Sequence, residues 1–183
     1  MEKFVVIGTG FIGKYMGKGM RKVLGTEDLQ GHAFGIKAHD TGVKEKEAEL
    51  GFAVSVKDTG TVLEREKPSI IIFSAPPEFA PDIVTGTLLP YYEQCRRENR
   101  PLPDLYSFIP SPSADWICTQ LGGDVNVVKI LPNILDVVCG YDLSPVGINY
   151  ISYAAHMWPE ERKDILIKCM SAYGYTVETD DTD

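Results

Sequence analysis

Apolar residues gather in short runs of strand length, separated by stretches whose apolar positions recur every three or four residues. The runs are KFVVI at 3–7, AFGIKA at 33–38, FAVSV at 52–56, SIIIFSA at 69–75, LYSFI at 105–109 and NVVKIL at 126–131. Phe4-Val5-Val6-Ile7 and Ile70-Ile71-Ile72-Phe73 are apolar at every position. Both faces of such strands must be covered, as in the middle of a parallel sheet flanked by helices. The rhythm predicts an α/β fold built on a doubly wound, mainly parallel sheet with helices on both faces.

The first helix is expected to begin near Gly10, where Ile12, Met16 and Met20 recur every four residues beside Tyr15 and Val23, and to end at Gly25. A last helix is expected at Trp158-Pro159-Glu160-Glu161. Proline suits the first helical position, and the acids complement the positive end of the helix dipole. Leu166, Cys169, Met170 and Tyr173 form its inner face, Gly174 stops it, and a short strand Tyr175-Thr176-Val177-Glu178 follows. The Pro-rich stretch 100–103 reads as a connection into the next strand. The expected organisation is one domain over 1–178 and an acidic tail over 179–183.

A length of 183 residues with 44% hydrophobic content suits a single sizeable core. The 18 basic and 26 acidic residues give a net charge of -8 with no Lys/Arg-rich run, which argues against a nucleic-acid partner. No apolar stretch approaches the roughly 20 residues needed to span a bilayer, and the start MEKFVVIG lacks a basic leader. The expectation is a cytoplasmic protein with no membrane partner. Cys95, Cys118, Cys139 and Cys169 form no CxxC pair and have no neighbouring His, so no metal is expected and the thiols read as free. His32, His39 and His156 are scattered and no serine stands in a GxSxG setting, which disfavours a hydrolase. No residue earns a catalytic assignment from this pattern.

The chemistry concentrates in Gly8-Thr9-Gly10-Phe11-Ile12-Gly13, which follows an apolar strand and opens an amphipathic helix. In that context GxGxxG is a dinucleotide fingerprint. The first glycine allows the tight turn, the second lets a pyrophosphate approach the backbone, and the third lets helix and strand pack closely. Amides at the helix N-terminus bind the anion, so an acidic protein needs no lysine there. A second diagnostic position follows the second strand, at His39-Asp40-Thr41. Asp40 suits the ribose diol of NAD, whereas His39 and Lys44 would meet the 2′-phosphate of NADP. The pattern leaves NAD or NADP open, and placing Asp40 there requires an insertion around residues 26–31. Ser74, Ala75 and Pro76, at the end of the fourth strand, should face the same ligand, because ligands of open α/β sheets gather at the carboxyl ends. A methyltransferase also uses a glycine turn after its first strand; the complete GxGxxG and the Leu131-Pro132-Asn133 segment count against it.

The order of VVIGTGFIG, SIIIFSAPP and NVVKILPNI resembles the pyrroline-5-carboxylate reductases and the related deazaflavin-dependent NADP reductases of the 6-phosphogluconate-dehydrogenase-like Rossmann group. The resemblance runs in pieces over most of the chain. It implies a Rossmann-type fold, with Gly8, Thr9, Gly10, Phe11, Ile12 and Gly13 on the pyrophosphate and His39, Asp40 and Thr41 around the adenosine ribose. Ser74, Ala75 and Pro76 would line the dinucleotide, and Pro132 and Asn133 would lie near the nicotinamide. The sequence departs from the family at His39-Asp40, where an Asn-Arg pair is common, and at Pro76, near the lysine of Ala-Val-Lys-Pro. It departs again at 107–111 and after Asn133. The family's helical second domain, which builds its dimer and much of its substrate site, has no counterpart here. The resulting expectation is an oxidoreductase domain presenting a nicotinamide to a small imine or carbonyl substrate, with a homodimer among its partners. The alternative is a non-catalytic dinucleotide-binding regulatory or scaffold module.

Overall fold

Strand β1 (Phe4–Ile7) lies inside an eight-stranded sheet of order β3-β2-β1-β4-β5-β6-β7-β8. This is a computed structural model, and it describes residues 2–24, 29–32, 44–45, 47–48, 53–55, 58–132, 147–155 and 158–180. The other strands are β2 (Leu29–His32), β3 (Ala53–Ser55), β4 (Ile70–Phe73), β5 (Asp104–Ser107), β6 (Val127–Leu131), β7 (Ile148–Tyr153) and β8 (Tyr175–Glu178). All pairings from β3 through β6 are parallel; β7 runs antiparallel to β6, and β8 parallel to β7. The first six strands thus take the doubly wound order 3-2-1-4-5-6, and the winding reverses between β1 and β4.

Alternation along the central strands divides the core in two. Val5, Ile7, Ile71, Phe73, Leu105 and Val127 bury one face beneath α2 (Thr59–Glu66), the helical stretch 77–97 and α5 (Ala114–Gln120). Phe4, Val6, Ile70, Ile72, Tyr106 and Val128 bury the other beneath α1 (Phe11–Leu24) and α6 (Glu160–Met170). Burying each of these side chains on a covered strand stabilises the fold by about 1.5–3 kcal/mol, which is why unbroken apolar runs sit at the centre. The stretch 77–97 comprises a 3-10 turn (Pro77–Phe79), α3 (Ala80–Ile83), a π-helical turn (Val84–Leu88) and α4 (Leu89–Arg97). Pro90 has no N–H to give to the preceding turn, and the wide turn carries the chain past that gap with Leu89 N–H bonded to Val84 O.

The buried stripe expected on α1 is present: Met16 and Met20 are fully buried, with Ile12 and Tyr15 packed against them. On α6, Leu166, Cys169 and Met170 are buried, as is Tyr173 just beyond it. Pro159 stands one place earlier than expected, as N-cap, its carbonyl accepting from the N–H of Arg162 at 2.9 Å. Tyr173 ties this region to α1, its hydroxyl donating to the carbonyls of Met16, at 2.9 Å, and Tyr15. A Cβ on Gly19 would lie 1.8 Å from that hydroxyl, so only glycine lets the two elements meet.

One strand differs from expectation. The second described strand is Leu29–His32, ahead of the run expected at 33–38 and inside the stretch 26–31 where an insertion was expected. Register with β1 fixes it, Phe4 opposite Leu29 through Ile7 opposite His32, although Leu-Gln-Gly-His is not an apolar run. Residues 33–38 lie outside the described residues. Cys95, Cys118 and Cys169 are buried free thiols, and Cys139 lies outside the described residues. Among the described residues no helix is long and apolar enough to cross a membrane.

Candidate functional site

At the carboxyl end of β1 the chain turns on Gly8, whose φ of +89° is costly for any residue with a Cβ. A Cβ there would also lie 2.6 Å from the carbonyl oxygen of Ser74. Gly13, one turn into α1, is packed so tightly that a Cβ would come within 2.0 Å of the Gly8 carbonyl oxygen and 2.5 Å of Ser74 Oγ. Gly10 is different. It is exposed, and among the described residues no atom beyond its own chain neighbours lies within 4 Å of where its Cβ would be. The two outer glycines are required by the protein's own packing, whereas the fold alone gives no steric reason for the middle one. That is the pattern expected where a ligand must reach the backbone.

Ser74 fixes the turn from the neighbouring strand. It follows β4 directly, its N–H donates to Ile7 O at 2.9 Å, and its hydroxyl donates to Gly8 O at 2.6 Å. Its hydroxyl thus anchors the glycine turn from the neighbouring strand. Ala75 is buried and Pro76 exposed, and Pro77 turns the chain into the 3-10 segment. Beyond Pro76 a largely apolar hollow of about 460 Å³ is lined by Pro76, Phe79, Asp82, Ile83 and Thr87. The sequence signal for it was Phe79, a large apolar side chain two places past the proline pair.

The electrostatics of the turn come from the backbone. No acid stands in the first turn of α1, whose leading N–H groups have no intrahelical acceptor. The helix dipole therefore places partial positive charge over Gly10, and no acid in the helix's own first turn cancels it. Thr9 is buried, and Ile12 is half-buried against the core. Phe11 opens α1, and its backbone belongs to the turn. Pro132 follows β6 at the same end of the sheet, partly exposed. His39, Asp40, Thr41 and Asn133 lie outside the described residues. The structure thus brings Gly8–Gly13 and Ser74–Pro76 together across β1 and β4, at the reversal of winding.

The amino ends of the strands carry a different kind of polarity. Arg162 of α6 reaches Glu2 at 2.9 Å and Asp104 at 2.7 Å, and Asn126 donates to Asp104 at 2.8 Å. Asp104 is 2% exposed, and burial lifts its carboxyl above the ordinary value, only partly offset by Asn126 and Arg162. Burial would also lift Glu2, but hydrogen bonds from Ser69 and Arg162 outweigh it and hold that carboxyl low. A cleft of about 440 Å³ borders this cluster, with Lys67, Tyr91 and Arg100 on its far side. Arg100 is itself paired with Glu64 at 3.1 Å and stacks over Tyr91. Its arginines are committed to the protein's own carboxylates, so the cleft has the character of a structural ion cluster. No local pattern signals it, because its members come from five separate segments. Among the described residues no group of three His, Cys, Asp or Glu side chains is placed to hold a metal ion.

No protein-family model matches the sequence, and no curated protein sequence matches it either. Solved structures do match. The Plasmodium falciparum pyrroline carboxylate reductase, solved with NADP bound, superposes with a TM-score of 0.68 at 15% identity, over 97% of this chain and 57% of that one. This is the Rossmann fold of those reductases. A pyrroline-5-carboxylate reductase from Coxiella burnetii gives 0.69 at 12% identity, over 98% of this chain and 59% of that one. A prephenate dehydrogenase from Aquifex aeolicus, in complex with hydroxyphenyl propionate and NAD+, gives 0.71 at 13% identity, over 98% and 60%. The chain therefore spans about three-fifths of the length of these structures.

Proposed function

We propose that this chain is an NAD(P)-dependent oxidoreductase domain, similar to pyrroline-5-carboxylate reductase, that presents a nicotinamide to a small imine or carbonyl substrate. The observation that carries the reading is the contrast among the three glycines. Gly8 and Gly13 are demanded by packing, while Gly10 is open, beside an acid-free helix N-terminus at the reversal point of the sheet. In this reading the amides of the Gly8–Gly13 turn hold the pyrophosphate, and Ser74 keeps the turn in shape. Ala75 and Pro76 border the dinucleotide, Pro132 and Asn133 the nicotinamide, and His39, Asp40 and Thr41 the adenosine ribose. The bound dinucleotide supplies the hydride, as NADH or NADPH. The chain's own share is to orient that group, to exclude water through its apolar surroundings and to bind an anion through the backbone.

Titration with NADH and NADPH, followed by the fluorescence of the reduced nicotinamide, tests this directly. Saturable binding with blue-shifted emission is expected; the absence of binding by either at millimolar concentration refutes the proposal. A second reading, a dinucleotide-binding regulatory module without catalysis, draws support from the described site. None of Gly8–Gly13, Ser74, Ala75 or Pro76 has a side chain that titrates near neutrality. Binding without oxidation of NAD(P)H by small cyclic imines or keto acids would favour that second reading.

A further inference from the structure

The hollow of about 460 Å³ beyond Pro76 combines apolar walls with a single acid, Asp82. Pro76, Phe79 and Ile83 supply the walls, and Thr87 is the other polar residue. Phe79 is 56% exposed, and an aromatic ring left open at the wall of a hollow is a platform for a flat partner. Asp82 is exposed as well. None of the described residues that line the hollow is basic, so nothing among them favours a phosphate. The π-helical turn Val84–Leu88, which carries Thr87, packs against α2, and α2 packs in turn on β1 and β2. In a doubly wound sheet the pyrophosphate lies at the reversal of winding, and the adenosine ribose is met at the end of the second strand. The segment bordering the hollow thus leans from the β4 end of the glycine turn toward the adenosine side.

We propose that this hollow seats the adenine base, with Phe79 stacking on its face and the Asp82 carboxylate accepting a hydrogen bond from its 6-amino group. The inference rests on the dinucleotide reading above and adds to it the residue that tells adenine from other bases. The two side chains divide the task. Stacking on an aromatic face tolerates any base, so Phe79 contributes strength without selecting. Asp82 selects, because an ionised carboxylate only accepts hydrogen bonds. Adenine offers it the N–H donors of an amino group at position 6. Hypoxanthine carries a carbonyl oxygen there, which sets one acceptor against another. Pro76 and Ile83 complete an apolar slot in which a missing partner for the carboxylate is costly.

The test is a fluorescence titration of the whole chain with NADH or NADPH, whichever binds more tightly, and with the same reduced dinucleotide carrying hypoxanthine in place of adenine. The hypoxanthine form should bind about tenfold more weakly or worse, the size of a lost hydrogen bond to a charged group. In Asp82→Asn that gap should shrink to less than about threefold, because a carboxamide donates to a 6-oxygen as readily as it accepts from a 6-amino group. Phe79→Ala should weaken both dinucleotides alike, by about fivefold or more, and leave their ratio unchanged. Both side chains are exposed, so the circular dichroism spectrum of each variant should match the wild type. Three results overturn the inference while the dinucleotide reading stands: equal binding of the two forms by the wild type, a full gap that persists in Asp82→Asn, or a Phe79→Ala variant that binds both as the wild type does. Failure of the wild type to bind either NADH or NADPH overturns the reading itself.

Discussion

At the amino ends of the strands, Arg162 is held between Glu2 and Asp104, and charged side chains satisfy one another. At the carboxyl ends of the same strands, the turn Gly8–Gly13 offers backbone polarity at an exposed Gly10, shaped by the Ser74 hydroxyl. One end has consumed its polarity internally; the other opens a helix whose first turn holds no acid. The difference teaches where to look for a ligand in such a sheet: charge density is a poor guide, and polar groups that the fold does not itself use are a good one.

The comparison can be broken most forcefully at the amino end. Arg162→Ala leaves the buried Asp104 without its cation and should cost about 3 kcal/mol, read as a lower urea midpoint. Dinucleotide affinity measured below the unfolding range should stay unchanged, and a parallel loss would mean that the two ends are coupled. At the carboxyl end, Gly13→Ala drives a Cβ against the Gly8 carbonyl and should cost about 2–3 kcal/mol while abolishing dinucleotide binding. Ser74→Ala removes the hydroxyl that holds Gly8 O and should cost about 1 kcal/mol, with a several-fold weaker dinucleotide dissociation constant.

Gly10→Ala sharpens the contrast because it separates folding from binding. No described residue opposes its Cβ, so stability should change by less than about 1 kcal/mol, in either direction. Dinucleotide affinity should nevertheless fall at least tenfold in a fluorescence titration. The smallest effect expected is acidic. Glu2 titrates below its ordinary 4.5, so its contribution is complete above pH 4.5 and is lost as pH falls through the lowered value. Asp104, lifted by burial, has the opposite sign and offsets part of the loss. A shallow fall in Tm below pH 4.5 should follow, and it should be smaller in Glu2→Gln, the remainder coming from Glu66 and Glu98, which are also held low.

Much of this architecture is legible in the residues themselves. Strands β1 and β4 announce themselves because a strand covered on both faces must be apolar throughout, and the glycine turn is legible because Gly8 and Gly13 answer local steric demands. Strand β2 is not. Leu-Gln-Gly-His is recruited by register with β1, a nonlocal cause that no local pattern encodes, and the more apolar run at 33–38 drew the expectation instead. Arg162 and Glu2 are 160 positions apart, and only the completed sheet brings them into contact. The bond from the Ser74 hydroxyl to Gly8 O was not legible either, since a hydroxyl's acceptor is chosen by packing between strands.

The hydroxyl of Tyr173 bonds to a carbonyl of α1 that lies 157 positions earlier. During synthesis the first helix is therefore made long before the residue that braces it, and until Tyr173 follows, the Met16 and Met20 side of that helix lacks this cover.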